Sequence, residues 1–143
     1  MSFKSIVIVV IQMVCSLYLI RAGGIFPHGV VSLVLIGAGF LLGLWAMLEF
    51  RFKFNIFPEL LKNPKLITSG PYRFVRHPIY TGVLLITLGF VINFFTLINV
   101  LVWMVLLATL LIKIRFEEKI LIGRFGDYAE YKRKTKALIP FLL

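Results

Sequence analysis

Four apolar runs separated by polar passages organise the chain. They fall at roughly Phe3–Ile20, Val30–Phe50, Ile79–Phe94 and Val100–Ile114. Runs of this length and purity predict helices that cross a bilayer. The expected fold is all-α: an integral membrane protein with four transmembrane helices, an interfacial segment and an amphipathic C-terminal helix. The interfacial segment is Phe50–Lys65, where aromatic rings alternate with cations before Pro58 and Pro64 break the chain. A short turn at Asn93–Asn99 makes the third and fourth spans an antiparallel hairpin. The last helix is expected to run on through Glu117-Glu118 to Gly123, ahead of a polar tail, Arg124–Leu143. On the second span, Gly39 and Gly43, extended by Gly37 and Ala46, form a face that admits close helix approach, although glycine is also simply common in membrane helices.

The most sharply punctuated passage is Thr68–Gly82, TSGPYRFVRHPIYTG. Gly70-Pro71 marks a turn, and Pro78 suits the first position of a helix because it has no N–H to leave unpaired. Arg76 and His77 stand just before that start, and Tyr80, Thr81 and Gly82 just after it. Cations, an imidazole and two tyrosines (Tyr72 and Tyr80) thus gather at a helix N-terminus, a place suited to a polar or anionic ligand.

Composition sharpens the class. Of the 143 residues, 60% are hydrophobic and 15% charged, with a mean hydropathy of +0.98; a soluble domain carries about 25% charged residues. The net charge of +10 would suggest a nucleic-acid partner in a soluble chain. Here no nucleic acid is expected, because basic residues orient spans and sit against membrane lipids. The connection Glu49–His77, Lys4 and the residues from Lys113 onward hold nearly all the cations, whereas the other side has only Arg21. That bias places both termini and any polar chemistry on the cytoplasmic side of a multi-pass protein of the cell inner membrane. Cys15 is alone, which excludes a disulfide framework. Lys4 ahead of Ile6–Ile20 has the outline of a signal peptide, but Ala22-Gly23-Gly24 is a poor cleavage site and the next span follows closely, so the run reads as a retained span.

Each candidate residue carries a plainer alternative. His77 could be a base, a ligand contact or an ordinary boundary histidine; its sequence companion His28 is expected at the opposite face, which argues against a metal. Tyr72 and Tyr80 suit a ligand or an aromatic belt, yet His77, Tyr80, Thr81 and Leu84 share one helical face. Glu117-Glu118 sits near the end of the fourth helix, where the macrodipole disfavours anions, so the pair is either functional or locally matched by Lys113 and Arg115. The hairpin brings this pair to the same end as His77. No Ser/His/Asp set, Walker loop or G-x-G-x-x-G occurs.

The string SGPYRFVRHPIYTG (Ser69–Gly82), then Glu117-Glu118, then FGDYAEY (Phe125–Tyr131), then Ile139-Pro140 resembles the isoprenylcysteine carboxyl methyltransferase family and its phospholipid-methyltransferase-like relatives. The resemblance covers roughly the C-terminal 80 residues. It implies a single membrane methyltransferase domain, with residues 1–50 as an N-terminal helical hairpin and 51–143 as the cofactor-binding region. It implies S-adenosylmethionine as methyl donor, S-adenosylhomocysteine as product, and a lipophilic acceptor, foremost an isoprenylcysteine-type carboxylate. The cofactor contacts it implies fall on Pro64, Lys65, Leu66, Ile67, Tyr72, His77, Pro78, Ile79, Tyr80, Glu117 and Glu118. The family's substrate-orienting arginine falls on Lys113, a departure because lysine lacks the guanidinium fork; Arg115 is the substitute candidate. Two other expectations stand beside this one: a phospholipid or small-molecule amine or thiol methyltransferase on the same scaffold, and a non-catalytic lipid-binding membrane protein.

Overall fold

The computed structural model describes residues 3–53 and 66–140. Within them the chain forms α1 (Phe3–Ala22), α2 (Val30–Lys53), a 3-10 turn at Gly70–Arg73, α3 (Pro78–Asn93), α4 (Leu97–Arg124) and α5 (Tyr128–Lys134). The fold is all-α. α2 over Val30–Phe50 and α4 are long and apolar enough to cross a membrane, and α1 over Ile6–Ala22 and α3 are shorter apolar helices. Only 17% and 28% of the most apolar windows of α2 and α4 are buried, which is too little for core helices of a soluble protein and accords with an integral membrane protein. The interfacial Phe50–Lys65 segment lies mostly outside the described residues, and with it Pro64 and Lys65.

The helix boundaries follow local chemistry. Pro78 takes the first turn of α3 as its missing N–H predicts. The turn before α4 is closed by Thr96, whose side chain accepts from the Asn99 N–H at 3.2 Å, while Asn99 Nδ2 donates to the Phe94 carbonyl at 2.8 Å. At the same end of the bundle Asn93 donates to the Gly23 carbonyl at 2.7 Å and accepts from the His28 N–H at 3.0 Å, tying the α1–α2 loop to the end of α3. Gly70 adopts φ +59°, the left-handed conformation the turn requires, against the Glu49 carboxylate.

Packing is not by sequence neighbours. α3 packs most extensively against α2, and α4 against α1, while α3 and α4 share a smaller contact. The two arms of the expected N-terminal hairpin therefore lean on different partners. The reason lies in residue size. Along α2, Ser32, Ile36, Gly39, Gly43 and Ala46 step alternately by four and three residues, the spacing of a helix–helix seam. They meet Gly82 and Gly89 on α3. A Cβ on Gly39 would lie 2.6 Å from the Gly82 carbonyl oxygen, one on Gly82 would lie 2.7 Å from that of Gly39, and one on Gly89 would meet Ile36 Cγ1 at 2.6 Å. The backbones touch, as small-residue faces allow. Between α3 and α4, by contrast, large side chains hold the axes apart. Leu84, Val91, Leu106, Leu110 and Ile114 join Cys15 and Leu19 of α1 and Leu138 of the tail in the buried core. Trp103 Nε1 spans that gap to the Leu84 carbonyl at 3.3 Å.

The seam makes a sharp prediction. Gly82→Val should destabilise the protein by about 1–3 kcal/mol or more, because the added atoms meet backbone that cannot move aside. Gly37→Ala, whose Cβ would meet nothing within 4 Å, should be neutral. Thermal unfolding of both variants in detergent checks this, and equal midpoints would contradict the backbone contact.

Candidate active site

The central stretch, the end of α4 and the tail converge at one end of the bundle. After α5 the tail runs beside the residues ahead of α3. Arg76 N–H donates to the Lys136 carbonyl at 2.8 Å, His77 N–H to that of Ala137 at 3.0 Å, and Val75 and Lys136 form an isolated parallel bridge. Thr81 Oγ1 donates to the Leu138 carbonyl at 2.7 Å, and Tyr131 OH to the Tyr72 carbonyl at 2.6 Å. The tail carbonyls thereby accept from N–H groups just ahead of α3 and from a hydroxyl in its first turn.

Arg76 is the hub. Its Nε lies 2.6 Å from Glu118 Oε1, and its guanidinium also donates to the carbonyls of Thr135 and of Lys132, the latter at 3.2 Å. Lys132 Nζ reaches the other Glu118 oxygen at 2.7 Å. Glu118 is thus spent on two cations and buried, its side chain 6% exposed. Glu117 is different. Its side chain is 37% exposed, it accepts from Tyr80 OH at 2.7 Å, and it faces a cleft.

That cleft encloses 370 Å³ among Phe50 of α2, Tyr72, Arg76, His77, Tyr80, Glu117 and their neighbours. A second hollow of 130 Å³ adjoins it through Phe50, Tyr72, Arg76 and Leu121, walled by Leu66, Ile67, Phe125, Tyr128 and Tyr131. The His77 ring stacks on Tyr80 with centroids 5.5 Å apart. Its Nδ1 is 3.8 Å from Glu117 Oε2 and its Nε2 3.4 Å from Glu118 Oε1; Nε2 makes no hydrogen bond among the described residues although buried. Burial of the His77 imidazole lowers its pKa below the ordinary 6.5, and the adjoining Glu117 and Glu118 carboxylates, which favour the charged ring, only partly offset this. Burial, reinforced by Glu49, raises the Tyr72 phenol to about 12.

Of the residues singled out from sequence, Tyr72, His77, Pro78, Ile79, Tyr80 and Glu117 line the cleft, and Leu66 and Ile67 line the adjoining hollow. Glu118 lies behind, facing Arg76 and Lys132. Lys113 stands one turn before Glu117, its Nζ 4.8 Å over the Tyr80 ring and 3.0 Å from Gln12 Oε1 of α1. Arg115 is exposed on α4, about 200° round the helix from both Lys113 and Glu117, and it lines neither cavity. From sequence, Arg76 belonged to the ligand-suited cluster ahead of α3 but had no partner assigned, and Phe50, Leu121 and Gln12 had no place in a site. The only signal for Arg76 was its place beside His77; Tyr128 and Tyr131 were legible as part of FGDYAEY.

The model of the phospholipid methyltransferase family matches residues 27–128, most of the chain and all of α2 to α4. The chain belongs to that family. It is 39% identical over 84 residues to the cobalt-zinc-cadmium resistance protein CzcN of Cupriavidus metallidurans, covering 57% of this chain and 38% of that one. It is 34% identical over 83 residues to protein-S-isoprenylcysteine O-methyltransferase of Schizosaccharomyces pombe, covering 57% and 35%. It is 37% identical over 84 residues to methanethiol S-methyltransferase 1 of Bradyrhizobium diazoefficiens, covering 54% and 27%. The chain thus spans about a third of the length of these relatives. No solved structure matches it significantly.

The His77 environment sets a pH dependence. A folded-state pKa below 6.5 means that the unfolded chain binds more protons as the pH falls through this range. The stabilising contribution is therefore complete above 6.5 and is lost as the pH drops through the lowered folded value. His77→Gln should flatten the acid side of the stability profile relative to wild type. Parallel profiles from unfolding midpoints between neutral and mildly acidic pH would mean that the imidazole titrates freely.

Proposed function

We propose that the protein is an integral membrane S-adenosylmethionine-dependent methyltransferase acting on a lipophilic acceptor, foremost an isoprenylcysteine-type carboxylate. One observation carries this reading beyond family membership: Glu117, Tyr80 and the His77 ring stacked on it line one cleft that continues into an aromatic hollow. This donor and acceptor set fits S-adenosylmethionine. The hollow among Tyr72, Tyr128 and Tyr131 suits a flat ring, and Glu117 suits a cationic or hydroxyl-bearing part.

When bound, S-adenosylmethionine supplies an electrophilic methyl group. The chain's own residues position and desolvate. Pro78, Ile79 and Phe50 give the cleft an apolar rim that strips water from an arriving nucleophile. A carboxylate acceptor is ionised at neutral pH and needs no base; Lys113, which is held between Gln12 and the Tyr80 ring and lines neither cavity, is the residue proposed to attract it. An amine or thiol acceptor would instead lose a proton, for which Glu117 is the candidate base. The thiol substrate named for the Bradyrhizobium relative favours this second reading. All four apolar helices span the bilayer in this proposal, with both termini and the cleft cytoplasmic.

Calorimetric titration with S-adenosylhomocysteine tests the cofactor assignment. Glu117→Ala and His77→Ala should each weaken binding more than tenfold, the loss of a charged-group hydrogen bond of about 1.5–3 kcal/mol. Glu118→Ala should act on stability instead, by about 3–5 kcal/mol, because it strands a buried guanidinium. Lys113→Met should lower kcat/KM on a prenylcysteine carboxylate by about a hundredfold and leave S-adenosylhomocysteine affinity in place. Affinity unchanged in both cleft variants would remove the site as drawn, and intact turnover in Lys113→Met would remove the carboxylate clamp.

Orientation has its own test. A reporter fused after Leu143 should read cytoplasmic and one inserted at Gly24 external, as the basic-residue bias requires. The reverse pattern would place the cleft on the wrong side for a cytosolic cofactor.

A further inference from the structure

A groove of 220 Å³ runs along the outer side of the α2–α3 seam, and each of its lining residues is apolar. Its floor exists because Gly39, Gly43 and Gly82 carry no side chains there. Gly39 and Gly82 spend that freedom on backbone contact, but a Cβ on Gly43 would meet nothing within 4 Å. The space over Gly43 is therefore not needed for helix packing.

The groove adjoins the cleft. Ile79 lines both it and the 370 Å³ cleft that holds His77, Tyr80 and Glu117. Both helices run continuously from one to the other. On α2, Gly43 and Met47 line the groove and Phe50, one turn further, lines the cleft. On α3, Ile86, Gly82 and Ile79 fall at successive turns toward the cleft. At the polar end, His77, Tyr80 and Glu117 line the cleft, with Tyr80 OH donating to the Glu117 carboxylate. A ligand matching this layout has a polar head and an unbranched or slender apolar chain. From Ile79 to Ile86 the groove offers about 10 Å of length.

We infer that the α2–α3 groove seats the hydrocarbon chain of the methyl acceptor, with Ile79 as the threshold across which its head enters the cleft. The inference rests on the methyl-transfer reading above and adds to it where the acceptor lies. The acceptor's tail stays at the lipid boundary throughout, so it needs no tunnel through the core between α1, α3 and α4, which Leu106, Leu110 and Leu84 fill.

The experiment uses the full chain in detergent, with n-alkyl acceptors of increasing length carrying a carboxylate, thiol or amine head. In the wild type, KM should fall with each added methylene until the chain spans about 10 Å and then level off. Gly43→Leu should raise KM for the longer acceptors at least tenfold and abolish the length dependence, leaving S-adenosylhomocysteine affinity unchanged. Gly37→Leu, on the same helix but outside the groove, should behave as wild type, since a Cβ there also meets nothing within 4 Å. Should Gly43→Leu fail to fold, Met47→Trp narrows the groove from its exposed side and carries the same expectation. Wild-type length dependence persisting in the folded groove variant overturns the inference and makes the groove a seat for ordinary lipid. S-adenosylhomocysteine binding without methylation of any probe overturns the lipophilic-acceptor reading and the groove with it. Absence of S-adenosylhomocysteine binding overturns the methyltransferase reading itself.

Discussion

The contact between Arg76 and Glu118 is the constraint on which the site depends. Both side chains are nearly buried, at 9% and 6% exposure. A buried ion pair is no guarantee of stability, because desolvation of two charges consumes most of the Coulomb gain. What makes this one tolerable is saturation: the guanidinium also serves the Thr135 and Lys132 carbonyls, and the carboxylate also takes Lys132 Nζ. Four separate parts of the chain, the segment before α3, the end of α4, α5 and the tail, are thereby held in one register. Apolar replacements of similar volume could fill that space, but they would not specify which carbonyl meets which donor.

Once that register is set, the adjacent carboxylates take different work. Glu118 and Glu117 are neighbours on one helix and point about 100° apart. The first meets Arg76 and Lys132 and loses access to solvent. The second meets Tyr80 and keeps a partly open face on the cleft. Between them sits His77, stacked on Tyr80, its pKa lowered because burial outweighs the attraction of both carboxylates. The arrangement puts a carboxylate that holds the fold and one that faces a cleft within a single turn of helix.

The seam between α2 and α3 makes a comparable division among glycines. Without a strong hydrophobic drive between helices in lipid, close backbone contact is a main source of association. Gly39, Gly82 and Gly89 supply it, and Gly43 next to them leaves a space over the same seam. That close approach also sets how far α2 extends beside the cleft, so that Phe50 becomes one of its walls.

Much of this was legible in the chain itself. Hydropathy alone marked four apolar helices, since a long uncharged run has few other stable solutions. Pro78 and Gly70-Pro71 marked their local boundaries, because proline and glycine act through their own backbone geometry. The cluster at Tyr72, His77, Tyr80 and the Glu117-Glu118 pair could also be named, because helix periodicity and a short turn place them at one end. Partner choice could not be read. The glycine face of α2 was visible, but not that it meets α3 rather than α1, since complementarity is a property of two surfaces and not of either alone. Nor could sequence separate Glu117 from Glu118, or bring Gln12 to Lys113 across 101 positions. Those outcomes depend on which charges are left facing one another once the helices have packed, and only the tertiary structure decides that.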